Sequence, residues 1–238
     1  APRLSERVNQ PVVVDNRPGA GTLFGTDLVA KAAPDGYTLL VVASSFAINP
    51  SMFKKMPFDP VKDFAPVTTL SSFPYLMAVH PSVQATSVKE LIALAKAKPG
   101  TLNFSSGGVG TGTQLGVELL KSMAGVDMVH VPYRGGGPAI TALLGGQVQL
   151  TIASIATLMP FVKAGKARAL AVTSAKRTAA IADIPTVAES GVPGFEQITW
   201  NGVLAPARTS AAIVRKLNGE LRTLLDTTEV RERFAAEG

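Results

Sequence analysis

The chain has 238 residues, 46% of them hydrophobic and 17% charged, enough for one large domain or two smaller ones, each with its own core. Lys and Arg outnumber Asp and Glu by 23 to 17, for a formal charge of +6. The basic residues form no run and are not interleaved with aromatics, which argues against a nucleic-acid groove and leaves either a general attraction for anions or a solvated basic surface.

The absence of cysteine excludes disulfides, thiolate metal sites and thiol catalysis. No apolar run reaches the roughly 18 residues that a membrane-spanning helix needs. No signal peptide is visible at Ala1, so the chain is either cytosolic or begins after processing.

Residues 1–10 read as the end of an amphipathic helix, with Leu4 and Val8 on one face and Arg3, Glu6 and Arg7 outward. PVVVD at 11–15 reads as a buried strand, NRPGAG at 16–21 as a turn, and 22–33 as a helix stopped by Pro34-Asp35-Gly36. YTLLVVA at 37–43 reads as a second buried strand, so the opening is a strand–helix–strand crossover and predicts a parallel pair. SSFAIN at 44–49 follows that strand's C-terminal end, where ligands sit in open α/β sheets. The prolines between 49 and 67 predict an irregular wrapping segment, and FPYLMAVH at 73–80 a strand leading away. Ser87 with Glu90 forms a capping box for a helix closed by Pro99-Gly100.

LNFSSGGVGTGTQ at 102–114 reads as a short strand, a glycine-rich loop and a helix start, with Thr111 or Thr113 as the cap. Such a loop gathers unpaired N–H groups at the positive end of a helix dipole, which makes an anion site; a glycine-rich turn without a ligand is the alternative. Strands at 128–131, 148–153 and 167–173 alternate with helices beginning near Pro138 and Ile155, giving a second α/β unit. After a loop at 184–195, residues 196–205 are extended, and Thr209 or Ser210 caps a helix with Ile213, Leu217, Leu221 and Leu224 on one stripe. Two α/β units joined by two extended segments imply a hinge and a ligand cleft between them. The boundaries expected are 1–76 plus 202–238 for the first domain and 77–201 for the second.

Enzyme signatures fail one by one. A dinucleotide fingerprint starting at Gly110 and Gly112 needs a third glycine where Leu115 stands, and one starting at Gly108 and Gly110 needs it at Thr113. Gly165-Lys166 is followed by Ala167, so no phosphate loop ends there, and no G-x-S-x-G elbow exists. The histidines are His80, before a proline, and His130, alternating in a strand beside Val129 and Val131 as a packed or edge residue with no triad partner in view. Asp35, Asp59, Asp63, Asp127 and Asp183 show no metal-cage spacing. The single Trp200 reads as hinge packing or as a surface for a ligand to stack on.

Several motifs together resemble one family. NRPGAGT at 16, PDGYTLL at 34, FDPVKDFAPV at 58, SSGGVGT at 105, HVPYRGGGPA at 130, LLGGQVQL at 143, KAGKARALAVTS at 163, IPTVAESGVPGFE at 184 and WNGVLAPA at 200 stand in the order found in the extracytoplasmic solute receptors of tripartite tricarboxylate transporters, the Bug receptors. The resemblance covers nearly the whole chain. It implies an α/β, two-domain periplasmic-binding-protein-like fold (type II, Venus flytrap) with two crossover segments. It further implies a monomeric periplasmic receptor with no catalysis and no cofactor or metal, which binds a small carboxylate-type ligand and delivers it to membrane permease subunits.

By the same resemblance, Ser44 and Ser45 lie in the ligand loop of the first domain. Ser105, Ser106, Gly110 and Thr111 match the loop and helix start that hold a carboxylate, Tyr133 the loop after the next strand, and Ala153 and Ser154 the one after that. Gln114 stands where these receptors often have His, and Gln149 where many have Asp. Family members also open with a strand and a Pro-Gly-Gly loop and continue past residue 238 with further helix, so the sequence is expected to be a fragment. Two other functions stay open. One is a sensing module presenting its ligand to a membrane sensor kinase. The other is a cytosolic α/β transferase using the 105–111 loop for phosphate, which would need a base near that loop.

Overall fold

The computed structural model describes residues 1–17 and 19–237. In chain order the elements are α1 (Pro2–Val8), α2 (Leu23–Ala30), β1 (Leu40–Ala43), α3 (Ser45–Met52), β2 (Phe64–Val79), α4 (Val88–Ala97), β3 (Asn103–Ser106) and α5 (Gly112–Ala124). There follow β4 (Val129–Pro132), α6 (Gly136–Leu144), β5 (Leu150–Ser154), α7 (Ile155–Lys163), β6 (Arg168–Val172), β7 (Ile198–Pro206), α8 (Ala211–Leu225) and α9 (Thr228–Glu237). The chain divides into two compact units, one formed by Ala1–Ser72 with Trp200–Ala235, the other built on Phe73–Thr199.

In the first unit β1 runs antiparallel to β7, with Leu40 opposite Leu204 and Ala43 opposite Asn201, and β7 pairs in turn with β2. One face of these strands packs Leu40, Val42 and Phe64 with Leu23 and Val29 of α2 and with Phe58. Phe46, Phe58 and Phe64 form an aromatic triangle, with edge-to-face contacts at 5.3 and 5.6 Å and one stacked pair at 6.4 Å. The other face packs Val67, Val203 and Ala205 against Leu4 of α1 and Leu221 of α8. The apolar stripe of α8 therefore serves the second face, and Ser210 caps that helix by accepting from the Ile213 N–H at 3.3 Å.

The second unit holds a sheet in the order β4–β3–β5–β2–β6, with β3 parallel to both β4 and β5 and β2 antiparallel to both β5 and β6. Alternation along β2 sends Tyr75, Met77 and Val79 to a core with Leu91 of α4 and Val117 and Leu120 of α5. Leu76 and Ala78 go to a core with Leu143 of α6 and Leu158 of α7. Leu76, Met77, Ala78 and Val79 have no exposed surface, as a strand covered on both faces requires. Burial of each large apolar side chain contributes about 1.5–3 kcal/mol.

Three local expectations are corrected. PVVVD is not a strand: residues 11–17 carry no regular structure, and Val13 and Val14 are 84% and 68% exposed. Strand propensity needs a neighbouring ladder and a covered face, and β1 pairs with β7 instead. The expected parallel pair between residues 11–15 and 37–43 does not form, and the partner of β1 is the antiparallel β7. Residues 44–49 are not a loop, since α3 begins at Ser45 directly after β1 and carries Pro50 within it.

Candidate functional site

Because β5, β3 and β4 are parallel and adjacent, their C-terminal ends lie on one edge of the second unit's sheet. Each strand is followed by a helix, so that edge gathers the N-termini of α7, α5 and α6. None of the three is capped by a side chain, and none has an acidic residue in its first turn. Elsewhere in the chain α4 and α8 are capped, by Ser87 and Ser210, whereas α1, α2 and α3 of the first unit likewise lack a side-chain cap and a first-turn acid. Three uncapped helix starts on one edge present first-turn N–H groups and positive dipole ends without a carboxylate of the protein's own to satisfy them.

The loop between β3 and α5 is built largely from its own polar side chains. Gly107 N–H donates to Thr113 Oγ1 at 3.0 Å, Gly108 N–H to Ser106 Oγ at 3.1 Å, and Gly110 N–H to Gln114 Oε1 at 2.8 Å. Thr111 Oγ1 donates to the Gly108 carbonyl at 2.6 Å rather than capping α5. Positive φ at Gly108 and Gly110, 134° and 78°, lets the chain double back without a side-chain clash. With those N–H groups engaged, the donors left for a ligand at α5 are the first-turn N–H groups of Gly112 and Thr113, which have no intrahelical acceptor.

The neighbouring loops brace this one. Tyr133 N–H donates to the Ser106 carbonyl at 3.0 Å and Gly135 N–H to the Gly107 carbonyl at 3.1 Å. The half-buried Tyr133 ring packs on the second core of its unit, and Arg134 is exposed. Ala153 is buried near the end of β5, and Ser154 heads α7 with its hydroxyl 2.8 Å from Thr157 Oγ1. Ser105 has no exposed surface and its hydroxyl lies against the Ala139 carbonyl at 3.0 Å and Thr151 Oγ1 at 2.9 Å, tying β3 to α6 and β5. The second unit thus brings together Ser106, Gly110, Thr111, Tyr133 and Ser154 at one edge, with Ser105 and Ala153 as struts behind them.

Ser44 and Ser45 belong to the first unit, where both are buried at the start of α3. The same helix carries Asn49, whose Nδ2 donates to the Gly21 carbonyl at 3.1 Å and to Thr22 Oγ1 at 3.3 Å. That amide holds a turn in which Ala20 and Thr22 have φ of 46° and 82°, conformations that cost of order 1–3 kcal/mol each in a non-glycine residue.

Three residues take parts at the β3–α5 loop that differ from their sequence reading: Thr113, a candidate cap, accepts the Gly107 N–H; Gln114, noted only for standing where the family often has His, accepts the Gly110 N–H; and His130, read as a packed or edge residue, meets Ser106. The His130 ring stacks on Phe104 at 4.9 Å and its Nε2 lies 2.6 Å from Ser106 Oγ. Burial lowers the His130 pKa, reinforced by Lys121 and opposed by Glu118. The signal was the strand pairing itself, because in-register β3 and β4 set Phe104 opposite His130. Among the described residues no cluster of potential ligands could hold a metal ion.

This edge gathers three helix starts at the C-terminal ends of parallel strands, the position at which α/β proteins place their ligands. The family model described as "Tripartite tricarboxylate transporter family receptor" matches residues 1–238, and the chain belongs to that family. It is a solute-binding receptor and not an enzyme.

Solved structures agree. "R. palustris Rpa4515 with adipate" is 37% identical with a TM-score of 0.96, over 100% of this chain and 80% of that one. The "periplasmic binding protein BugD" is 33% identical with a TM-score of 0.94, over 99% and 79%. "MatC (Rpa3494) from Rhodopseudomonas palustris with bound malate" is 33% identical with a TM-score of 0.92, over 99% and 81%. The two-domain periplasmic-binding-protein fold class is that of these structures.

Proposed function

We propose that the protein is a periplasmic receptor that captures a small carboxylate, with the β3–α5, β4–α6 and β5–α7 loops holding a carboxylate group, and that it passes this solute to a membrane permease. The observation that carries this reading is the set of three uncapped, acid-free helix starts on one sheet edge. Neutral donors at a helix start favour an anion while avoiding the desolvation of a fixed ion pair. The binding of adipate by one relative and malate by another supports the ligand class. Membership of a transporter receptor family supports the permease partner. In the second unit Gly110, Thr111, Tyr133 and Ser154 are the residues proposed to line the carboxylate site, with the buried Ser106 behind them; Ser44 and Ser45 are proposed as ligand-loop residues of the first unit.

Calorimetry of the full chain against adipate, malate, citrate, aspartate and benzoate tests this. At least one dicarboxylate is expected to bind with a Kd in the micromolar range, about −8 kcal/mol. No heat and no thermal shift with any of them would sink the reading.

A further inference from the structure

His130 is a titratable group at the candidate site to which ligand capture gives no task. It lies on β4 opposite Phe104 of β3, stacked at 4.9 Å with 22° between the rings. Its Nε2 is 2.6 Å from the hydroxyl of Ser106, a residue with no exposed surface. The same hydroxyl oxygen is 3.1 Å from the Gly108 N and 3.1 Å from the Gly108 carbonyl oxygen.

A serine hydroxyl has one hydrogen to donate. With Nε2 unprotonated, Ser106 donates to His130 and accepts from the Gly108 N–H. The Gly108 carbonyl is then left to Thr111, whose hydroxyl donates at 2.6 Å and whose N–H donates at 3.3 Å. With Nε2 protonated, the ring donates to Ser106, and the hydroxyl hydrogen must turn to a carbonyl that already accepts twice. The imidazole therefore decides how the turn at Gly108 is bonded. The charged groups that act on the ring are Glu118 and Lys121, both from α5 and 2.9 Å apart; β3 brings none. Lys121 Nζ also lies 5.6 Å from the Phe104 ring centroid, so the stack stands beside a cation. Burial and that cation favour the neutral ring.

We propose that His130 is a positioning residue for ligand capture: its neutral imidazole accepts the Ser106 hydroxyl hydrogen, keeps that hydrogen off the Gly108 carbonyl, and so fixes the turn that aims the start of α5 at its ligand. The ligand half of this rests on the carboxylate reading above, whereas the bonding half does not.

Two measurements on the full chain separate them. Nitrogen-15 spectra near about pH 7 are expected to show His130 protonated on Nδ1 and bare on Nε2, and Ser106→Ala to shift both that Nε2 resonance and the Gly108 amide. On acidification the Gly108 amide is expected to move with the midpoint of the His130 ring and to lose that titration in His130→Gln. A proton on Nε2 at neutral pH, a Gly108 amide indifferent to Ser106→Ala, or a ring that titrates without moving Gly108 overturns the proposal. The second measurement is affinity for adipate or malate, whichever the unaltered chain binds. His130→Phe is expected to lose about tenfold, the worth of one hydrogen bond, and His130→Gln to regain most of it. Equal losses in the two variants overturn the positioning role. An unaltered chain that binds neither acid counts against the carboxylate reading, and the spectra still decide the bonding.

Discussion

Gln114 is the residue on which the character of the site turns. It occupies the third position of α5, and its side-chain oxygen takes the Gly110 N–H at 2.8 Å. A glutamate there keeps that bond and gains from the helix dipole, worth about 0.3–1 kcal/mol near a helix start. The same charge faces the place proposed for the ligand's carboxylate. Two unit charges about 5 Å apart at an effective dielectric of about 20 repel by about 3 kcal/mol. Gln114→Glu is therefore expected to keep or slightly raise the melting temperature while weakening dicarboxylate binding by about a hundredfold. Unchanged affinity by calorimetry would remove the ligand from the start of α5. Motif reading could place Gln114 on this helix but not in this bond, because which side chain takes which loop N–H is decided by the turn's dihedrals. The same limit hid Ser105, whose hydroxyl points to Ala139 and Thr151.

At the level of elements, the contrast between capped and uncapped helices is the feature with consequences. Ser87 Oγ accepts from the Glu90 N–H at 3.2 Å, and Glu90 reaches back to the N–H and hydroxyl of Thr86 at 2.7 and 2.8 Å. Ser154 stands at the equivalent point of α7 with no cap bond. Ser87→Ala is expected to cost about 1 kcal/mol in urea denaturation, and Ser154→Ala less than about 0.5 kcal/mol. Equal losses would mean that Ser154 caps α7 in solution and that the helix start is not open. The Ser87 cap could be read from the sequence because an N-cap and its partner are local. So could the second unit's alternation of strands and helices, punctuated by Gly125, Gly145 and Gly165 at the helix ends. PVVVD misled because a strand is defined by its neighbour, and nothing local reveals that β1 pairs with β7. SSFAIN misled because a helix can begin directly at a strand's end, with its polar residues Ser45 and Asn49 turned inward.

For the whole molecule, the titrating groups set a plateau of stability with two falling sides. His130 is held below its ordinary value of 6.5 by burial. Glu90 and Glu189 are held below 4.5, mainly by backbone N–H groups of Thr86 and Thr186, and Asp59 below 3.8 by those of Val61 and Lys62. In all four the folded chain binds protons less readily than the unfolded chain. Their contribution is therefore complete above the unfolded values and is lost as pH falls through the folded ones. Tyr75 is raised above 10.0 by burial, so its contribution is complete below that value and is lost as pH rises through the folded one. Denaturation midpoints are expected to be level between about pH 7 and about pH 9.5, to slip gradually below about pH 6.5, and to fall more steeply below about pH 4.5. The formal charge of +6 deepens the acid limb, since neutralised carboxylates leave the basic groups to repel one another. His130→Gln should abolish the first, shallow slope and leave the steep one in place. A slope near pH 6 that survives in His130→Gln would show that the half-buried imidazole is not its source.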